Sequence, residues 1–271
     1  MSLLPQEFIS AVVSIGRKRT NTECDWFGTG FFVLRPEDEE KRLHSLFLVT
    51  NKHVLEDEHS VVIRLKRHET NDLVMPDLPL YLNGKMAYSV HPDKNIDIAA
   101  VMLNARFVEK NNLQFYGYAM ERNFMDSAEY IEFCGYEGGG VYMIGFPLPQ
   151  MTVGQYSNTP ICRSGCIARM DPMIIKADKK FIVDIQNFPG NSGSPIIAKP
   201  EIAALQGTKP LNRAVLIGIV NSYIPYREQL INQQTREVVE VRSENSGLAL
   251  ANPTEFIRET IEIEYRRVHG M

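Results

Sequence analysis

The chain is most informative at Phe188-Pro189-Gly190-Asn191-Ser192-Gly193-Ser194-Pro195. The glycines on either side of Ser192 permit a tight turn that exposes the hydroxyl and aims successive backbone N–H groups to one side. A serine that attacks an acyl group needs this combination of an exposed nucleophile and donors for the oxyanion. The same residue types also build ordinary turns between strands, so the segment alone leaves both interpretations open. It is not the G-x-S-x-G elbow of α/β-hydrolases, because Ser194 stands at the fifth position.

A nucleophilic serine needs a base, and histidine is the usual one. His53 has the most favourable position, because it follows the apolar run 46–50, a predicted strand that would hold it in place. His91 stands before Pro92 in a polar loop and is the weaker candidate. Either residue could instead be a structural histidine. The remaining histidines are His44, His59, His68 and His269.

The base is oriented by a carboxylate in many such sites. Asp97 interrupts the apolar run Ile96-Asp97-Ile98-Ala99, which predicts an acid inside a strand. A buried acid normally has a partner, because an unpaired buried charge is unfavourable. The alternative is an Asp97 that faces water from an edge strand. Asp93 is the second candidate for the orienting acid.

Short apolar runs bounded by turn residues follow one another along most of the chain, which predicts an all-β protein. They fall into two groups, one before residue 104 and one from residue 141 onward, which indicates two barrels or sandwiches. Only the C-terminal segment has helical spacing. There Asn252 is the predicted N-cap and Pro253 the first helical residue.

The composition is that of a globular protein: 271 residues, 44% of them hydrophobic, with 29 basic and 33 acidic side chains and a net charge of −4. This composition excludes intrinsic disorder. A pI near 5.9 argues against a nucleic-acid partner held by bulk charge. No apolar run is long enough to cross a membrane, and no secretory leader follows Met1. We therefore expect a cytoplasmic protein without a membrane or nucleic-acid partner.

The four cysteines, in a chain without an N-x-[ST] sequon, are typical of a reducing compartment. Cys162 and Cys166 lie four residues apart, and no second pair of ligands accompanies them. We expect buried free thiols at these positions rather than a zinc site, and neither a metal nor a cofactor elsewhere.

Three segments, in the order His, Asp, Ser, resemble the trypsin-like (chymotrypsin-fold) serine peptidases: Thr50-Asn51-Lys52-His53-Val54, Asp97-Ile98-Ala99 and Gly190-Asn191-Ser192-Gly193-Ser194-Pro195. The resemblance extends over about residues 8–265. The surrounding segments look most like the bacterial HtrA-type branch of that family. These segments are Gly28-Thr29-Gly30-Phe31, Ile144-Gly145-Phe146-Pro147, Gly218-Ile219-Val220-Asn221 and Gly247-Leu248-Ala249-Leu250-Ala251.

The resemblance implies two packed six-stranded Greek-key β-barrels followed by a C-terminal α-helix. We expect the first barrel at 1–122 with the histidine and the acid, the second at 123–252 with the serine, and the helix at 253–271. It also implies a polypeptide substrate. No peptide-binding PDZ module is expected, since the chain has no room for one after the helix.

The resemblance further implies the family's mechanism. Ser192 would attack the peptide carbonyl, His53 would take the serine proton and later protonate the leaving amine, and Asp97 would hold the imidazole tautomer. The backbone N–H groups of Gly190 and Ser192 would form the oxyanion hole. Val54 replaces the cysteine of secreted members, so their disulfide is not expected.

By the same resemblance, Gln186 lies at the base of the primary specificity pocket. The walls are then Val220, Asn221, Ser222, Tyr223, Leu248 and Ala249. Gln186 carries no charge to pair a buried Arg or Lys, so the sequence predicts cleavage after small-to-medium apolar residues. Asp184 is the one acid near enough along the chain to alter this preference.

A catalytically silent binding protein on the same fold is the main alternative. The sequence favours an enzyme, because all three triad positions carry reactive residue types. An esterase of another fold is disfavoured by the missing elbow. A nucleotide site at Glu137-Gly138-Gly139-Gly140 is disfavoured because no Gly-Lys-Ser/Thr follows.

Overall fold

The computed structural model describes residues 4–20, 23–38, 43–66, 72–134, 137–147, 159–201 and 208–271. The candidate histidine His68 lies outside these ranges, as does the start of the chain, in which no secretory leader was expected. Two groups of strands pack together, and a C-terminal helix lies against both.

The first group of strands, β1–β12, comes with four short helices. In chain order the elements are α1 (Gln6–Ser10), β1 (Val12–Lys18), β2 (Cys24–Asp38), β3 (Leu43–Thr50), α2 (Lys52–Leu55), β4 (Ser60–Ile63), β5 (Leu65–Lys66), β6 (Leu73–Val74), β7 (Asp77–Pro79), β8 (Tyr81–Leu82), β9 (Lys85–Met86), β10 (Ser89–Val90), β11 (Ala99–Leu103), α3 (Ala105–Asn111), β12 (Tyr118–Ala119) and α4 (Met120–Asn123).

The second group, β13–β18, is followed by the long helix. Its elements are α5 (Ser127–Cys134), β13 (Gly140–Gly145), β14 (Ile161–Arg169), α6 (Pro172–Asp178), β15 (Phe181–Asp184), β16 (Pro195–Ala198), β17 (Val215–Ile231), β18 (Val238–Pro253) and α7 (Thr254–His269).

The first group forms an open sheet in the part of the chain that the structure describes, whereas a closed six-stranded barrel was expected. Eight of the twelve described strands belong to this sheet. Seven of them lie side by side in the order β10-β11-β3-β2-β1-β4-β7, and the eighth, β12, pairs in parallel with β2. Between β7 and β10 the chain turns back on itself in the hairpin β8–β9. Asn83 and Gly84 at its tip both have positive φ, as a tight hairpin turn requires. This local pairing uses the segment that would otherwise join the two ends of the sheet.

The second group closes into a six-stranded barrel in the order β13-β14-β15-β18-β17-β16, as the sequence predicted. Alternate residues of its strands point inward and fill the barrel, because successive side chains of a strand face opposite sides. Val141, Ile167, Phe181, Val183, Ile196 and Ile217 are among the buried residues of this core.

Strands β17 and β18 continue beyond the barrel as a two-stranded ribbon. Their pairing extends from Gly218↔Pro253 to Ile231↔Val238. The apolar run in the sequence ends at Val220, so no strand was predicted over the ribbon. Its residues are exposed on both faces, and a strand without a buried face leaves no apolar alternation to recognise.

Another apolar cluster, separate from the core of the closed barrel, joins the two groups of strands and the helix α7. It contains Phe31 and Tyr118 from the first group, Ile144 and Leu216 from the second, and Ile257 and Ile261 of the helix, among others. The predicted C-terminal helix is therefore confirmed, and its apolar face packs where the two sheets meet.

Two details of the helix prediction were wrong. Helix α7 begins at Thr254, with Pro253 rather than Asn252 at the N-cap position and no side-chain cap. Helices also occur outside the C-terminal segment. One of them is α6, whose N-cap Asp171 accepts hydrogen bonds from Met173 N and Ile174 N. These helices are too short to show helical periodicity in the sequence. None of the helices described is long and apolar enough to cross a membrane.

Candidate active site

His53 lies in the one-turn helix α2, directly after strand β3 ends at Thr50. Val54 and Leu55 are buried and anchor this turn, while the His53 side chain remains 48% exposed. The neighbouring strand β11 pairs with β3 through Ala99↔Thr50. Asp97, two residues before Ala99, therefore lies next to His53.

Asp97 holds His53 by two contacts. The His53 ring nitrogen Nδ1 lies 2.5 Å from Asp97 Oδ2, and the His53 backbone N–H donates to Asp97 Oδ1 at 3.1 Å. A carboxylate at Nδ1 favours the tautomer that carries its proton there, which leaves Nε2 free to accept a proton. Asn51 Nδ2 also donates to the Asp97 carbonyl at 2.7 Å. Asp97 was predicted inside a strand, but β11 begins only at Ala99 because the polar groups of Asp97 bond to the histidine turn instead.

The two weaker candidates are engaged elsewhere. His91 Nε2 lies 2.9 Å from Glu259 on helix α7, and its Nδ1 accepts the Asp93 backbone N–H. The Asp93 carboxylate accepts a hydrogen bond from Asn95 N at 2.9 Å. Of the two pairs of candidates, the geometry brings together His53 and Asp97.

Asn252 is a buried residue of the site that the sequence analysis misread as a helix cap. Its Oδ1 lies 3.4 Å from the backbone N of Asp97 and 3.2 Å from Asn221 Nδ2. Its Nδ2 donates to the carbonyl of Lys179 at 2.7 Å. Asn252 belongs to the second barrel, so it anchors the Asp97 loop across the junction. Asn221, predicted as a pocket wall, is buried and donates its amide to Asn252.

The turn that carries Ser192 contains two glycines with positive φ, +97° at Gly190 and +87° at Gly193. A Cβ at Gly193 would lie 2.0 Å from the carbonyl oxygen of Thr29, so no other residue fits there. The turn is closed by hydrogen bonds from Asn191 N to Phe188 O and from Ser194 N to Asn191 O. The turn is as compact as the sequence predicted, but Asn191, Gly193 and Ser194 are buried and Ser192 is only partly exposed.

The serine turn is also bonded to the first sheet. Thr29 N donates to the carbonyl of Ser192 at 2.9 Å, and Thr29 Oγ1 donates to the carbonyl of Gly190 at 2.6 Å. In the sequence, Thr29 stood out only as part of the segment Gly28-Thr29-Gly30-Phe31, which resembles the HtrA-type branch. Its role follows from contacts between residues 161 positions apart, which no local pattern reveals.

Several groups that acyl transfer would use make no hydrogen bond to other described residues. Over the ranges that the structure describes, neither Gly190 N nor Ser192 N donates a hydrogen bond. Within the same ranges no hydrogen bond joins Ser192 Oγ to His53 Nε2. Hydrogen bonds of this kind are often long in a substrate-free site and shorten when substrate binds. Ser192 itself is partly exposed.

Three strands place the predicted pocket segments side by side. Tyr223 pairs with Ala249, Leu248 pairs with Asp184, and Ile185 N donates to Gly247 O at 2.9 Å. The side chains differ in exposure. Val220 and Ala249 are buried, Ser222 and Leu248 are partly buried, and Gln186, Asp184 and Tyr223 are exposed.

No group of three or more His, Cys, Asp or Glu side chains is placed to hold a metal ion within the described parts of the chain. All four cysteines, Cys24, Cys134, Cys162 and Cys166, are free thiols, but Cys162 is exposed and Cys166 only partly buried, whereas both were expected to be buried.

Comparison with a family model identifies the family to which the chain belongs. The family model described as Trypsin matches residues 43–229. Among solved structures, the chain is similar to the crystal structure of the MamO protease domain from Magnetospirillum magneticum in its apo form. The two share 12% sequence identity over 94% of this chain and 97% of that chain, with a TM-score of 0.45. No curated protein matches the chain. Because the family model covers most of the chain, including His53, Asp97 and Ser192, the chain belongs to the trypsin family.

Proposed function

We propose that this protein is a serine endopeptidase that hydrolyses peptide bonds through an acyl-enzyme intermediate. The observation that carries the proposal is the pairing of His53 with Asp97 through both the ring Nδ1 and the backbone N–H. This pairing leaves Nε2 as the basic nitrogen, half of the imidazole exposed to a substrate, and the acid in the role that a triad requires.

In the proposed reaction, Ser192 Oγ attacks the scissile carbonyl while His53 Nε2 accepts the hydroxyl proton. Asp97 stabilises the imidazolium that forms. The N–H groups of Gly190 and Ser192 bind the oxyanion of the tetrahedral intermediate, since no described group accepts from them. His53 then protonates the leaving amine. In the second half of the reaction, His53 takes a proton from water, which attacks the acyl-enzyme, and returns the proton to Ser192 Oγ.

We propose cleavage after small-to-medium apolar residues. Val220 and Ala249 pack into the barrel core, so of the apolar wall residues Leu248, which is partly buried, is the one that supports this preference. The Asp184 carboxylate is exposed on the barrel surface and Gln186 carries no charge, so a buried anion for Arg or Lys is not expected at the base. An aliphatic slot separates neighbouring side chains by only ~1–3 kcal/mol per methylene, so the preference is graded.

Four free thiols further support a reducing compartment such as the cytoplasm. Within the family, the quoted segments support a place near the HtrA-type branch.

An activity-based fluorophosphonate probe tests the assignment. The wild-type chain should be labelled at Ser192, and the same preparation should cleave a proteome-derived peptide library. Ser192→Ala should abolish both, whereas Ser10→Ala, a change at a serine outside the site, should retain both. The missing hydrogen bond between Ser192 and His53 favours one other candidate, a catalytically silent binding protein. Folded wild-type chain that neither reacts with the probe nor cleaves any peptide would establish that alternative.

A further inference from the structure

Thr29, on strand β2, is fully buried where the first sheet meets the serine turn. Every polar atom of this residue is engaged. Its N–H donates to Ser192 O at 2.9 Å, and its carbonyl accepts Thr50 Oγ1 at 2.7 Å. Its hydroxyl donates to Gly190 O at 2.6 Å and accepts Phe146 N at 3.1 Å.

The direction of the Thr29 hydroxyl proton is determined by its neighbours. A backbone N–H can only donate, so Phe146 N must use a lone pair of Thr29 Oγ1. A backbone carbonyl can only accept, so the single hydroxyl proton points at Gly190 O. The bond is short and lies in a dry environment, where a hydrogen bond is electrostatically stronger than in water.

The acceptors of Thr29 belong to the residues that we propose as the oxyanion hole. The Thr29 hydroxyl holds the carbonyl of Gly190, and the Thr29 N–H holds the carbonyl of Ser192. Gly190 has φ +97° and lacks a side chain to restrict its rotation. A carbonyl held at a fixed place restrains the rotation of that residue, and so the direction in which its own N–H points.

We infer that Thr29 is a positioning residue: its hydroxyl orients Gly190 so that the Gly190 N–H faces the oxyanion. The inference rests on the proposed function and extends it to a residue of the other sheet. Phe146 follows β13, so the same hydroxyl links the first sheet, the second barrel and the serine turn. Correct packing of the two sheets is then a condition for a formed oxyanion hole.

Two pairs of variants that differ by one hydroxyl test the inference. The first pair is wild type and Thr29→Val. The second pair is Thr29→Ser and Thr29→Ala, in which no valine has to fit into the buried position. Thr254→Val is the matched control, because Thr254 is equally buried and its hydroxyl also donates to a carbonyl, Met125 O, at 2.6 Å.

We expect kcat to fall about tenfold or more in Thr29→Val and Thr29→Ala, with KM little changed, because an oxyanion interaction acts in the transition state. The affinity for a peptide boronate, which mimics the tetrahedral intermediate, should fall by a similar factor. Thr29→Ser should restore both values to within about threefold of wild type. Thr254→Val should lower the melting temperature while leaving kcat and boronate affinity unchanged.

Wild-type kcat and boronate affinity in folded Thr29→Ala would overturn the inference. A loss that Thr29→Ser does not repair, or that Thr254→Val shares, would overturn it as well, because the effect would then be structural. Glycine-selective ¹⁵N NMR of the Ser192→Ala chain supplies a readout that needs no activity. There the Gly190 amide signal should move in Thr29→Val and stay in place in Thr29→Ser. If the wild-type chain cleaves no peptide but the Gly190 signal still moves in Thr29→Val, only the proposed function is overturned.

Discussion

The side-chain oxygen of Asn252, at the end of the second barrel, lies 3.4 Å from the backbone nitrogen of Asp97 in the first sheet and accepts its hydrogen bond. The same oxygen accepts Asn221 Nδ2, and the Asn252 amide donates to Lys179 O. Asp97 in turn holds His53. The loop that carries Asp97 is thus positioned by a residue of the second barrel.

Replacing Asn252 should therefore impair both stability and activity. Asn252→Ala leaves the N–H of Asp97 and the carbonyl of Lys179 without partners, at a cost of about 1–3 kcal/mol for each buried group. We expect a lower free energy of unfolding in urea and a lower kcat. Asn123→Ala is the control, since Asn123 also accepts a backbone N–H, that of Ala119, but far from the site along the chain. Equal kcat values for the two variants would contradict the positioning role of Asn252.

The two candidate acids can be separated by mutation. Asp97→Asn should lower kcat by about four orders of magnitude, because an amide at this place favours the wrong imidazole tautomer. Asp93→Asn should leave kcat unchanged, since among the described residues the Asp93 carboxylate accepts a hydrogen bond from Asn95 N of its own loop and makes no contact with His53. Steady-state hydrolysis of a peptide substrate measures both. The opposite order of effects would transfer the orienting role to Asp93.

Glu255, in the first turn of helix α7, gives a pH dependence of stability. Burial raises the pKa of this carboxyl, and hydrogen bonds from Ser127 oppose the rise only in part. A group whose pKa is raised by folding stabilises the fold below its unfolded pKa, and this contribution is lost as pH rises through the folded value.

Wild type should therefore lose stability relative to Glu255→Gln as pH rises above the ordinary carboxyl pKa of ~4.3. Glutamine keeps one oxygen for Ser127 but does not ionise. Melting temperatures of both chains across this range measure the difference. A difference that stays constant with pH would show that Glu255 titrates alike in the folded and unfolded chain.

The cysteines should be reduced, and Cys134 should be unreactive. Burial raises the pKa of the Cys134 thiol to about 11, so little of the reactive thiolate exists at neutral pH. Ellman's reagent should find four thiols in the denatured chain and react slowly with Cys134 in the native one, as comparison with Cys134→Ala will show. Excess dithiothreitol should not change peptidase activity; a loss would reveal a disulfide.

Helix α7 should stabilise the whole molecule, because its apolar face packs between the two sheets. Ile261 is fully buried in the cluster that includes Phe31 and Ile144, so Ile261→Ala should cost about 2–5 kcal/mol. Val268, near the end of the same helix, is 47% exposed, and Val268→Ala should stay within about 0.5 kcal/mol of wild type. Urea denaturation of both variants compares the two positions. Similar unfolding free energies would mean that the helix is not part of the common core.

Much of the fold was predictable because local signals suffice for it. Short apolar runs bounded by turn residues revealed strands of the closed barrel, and the helical spacing of the C-terminal segment revealed α7. The glycines around Ser192 predicted a tight turn, since only residues without a Cβ fit its backbone. The ribbon formed by the far ends of β17 and β18 was missed because it has no buried face and so no apolar period.

The sequence by itself determined which residue types are present: a serine in a glycine turn, a histidine after a strand, and an aspartate between apolar residues. Only the tertiary structure decided which of these meet. Residues 44 positions apart form the His53–Asp97 pair, and residues 161 positions apart form the bond between Thr29 and Gly190. The same holds for Asn252, which reads as a helix cap and serves Asp97 instead. Hydrogen bonds between distant segments depend on how sheets pack, and packing leaves no periodic signal along the chain.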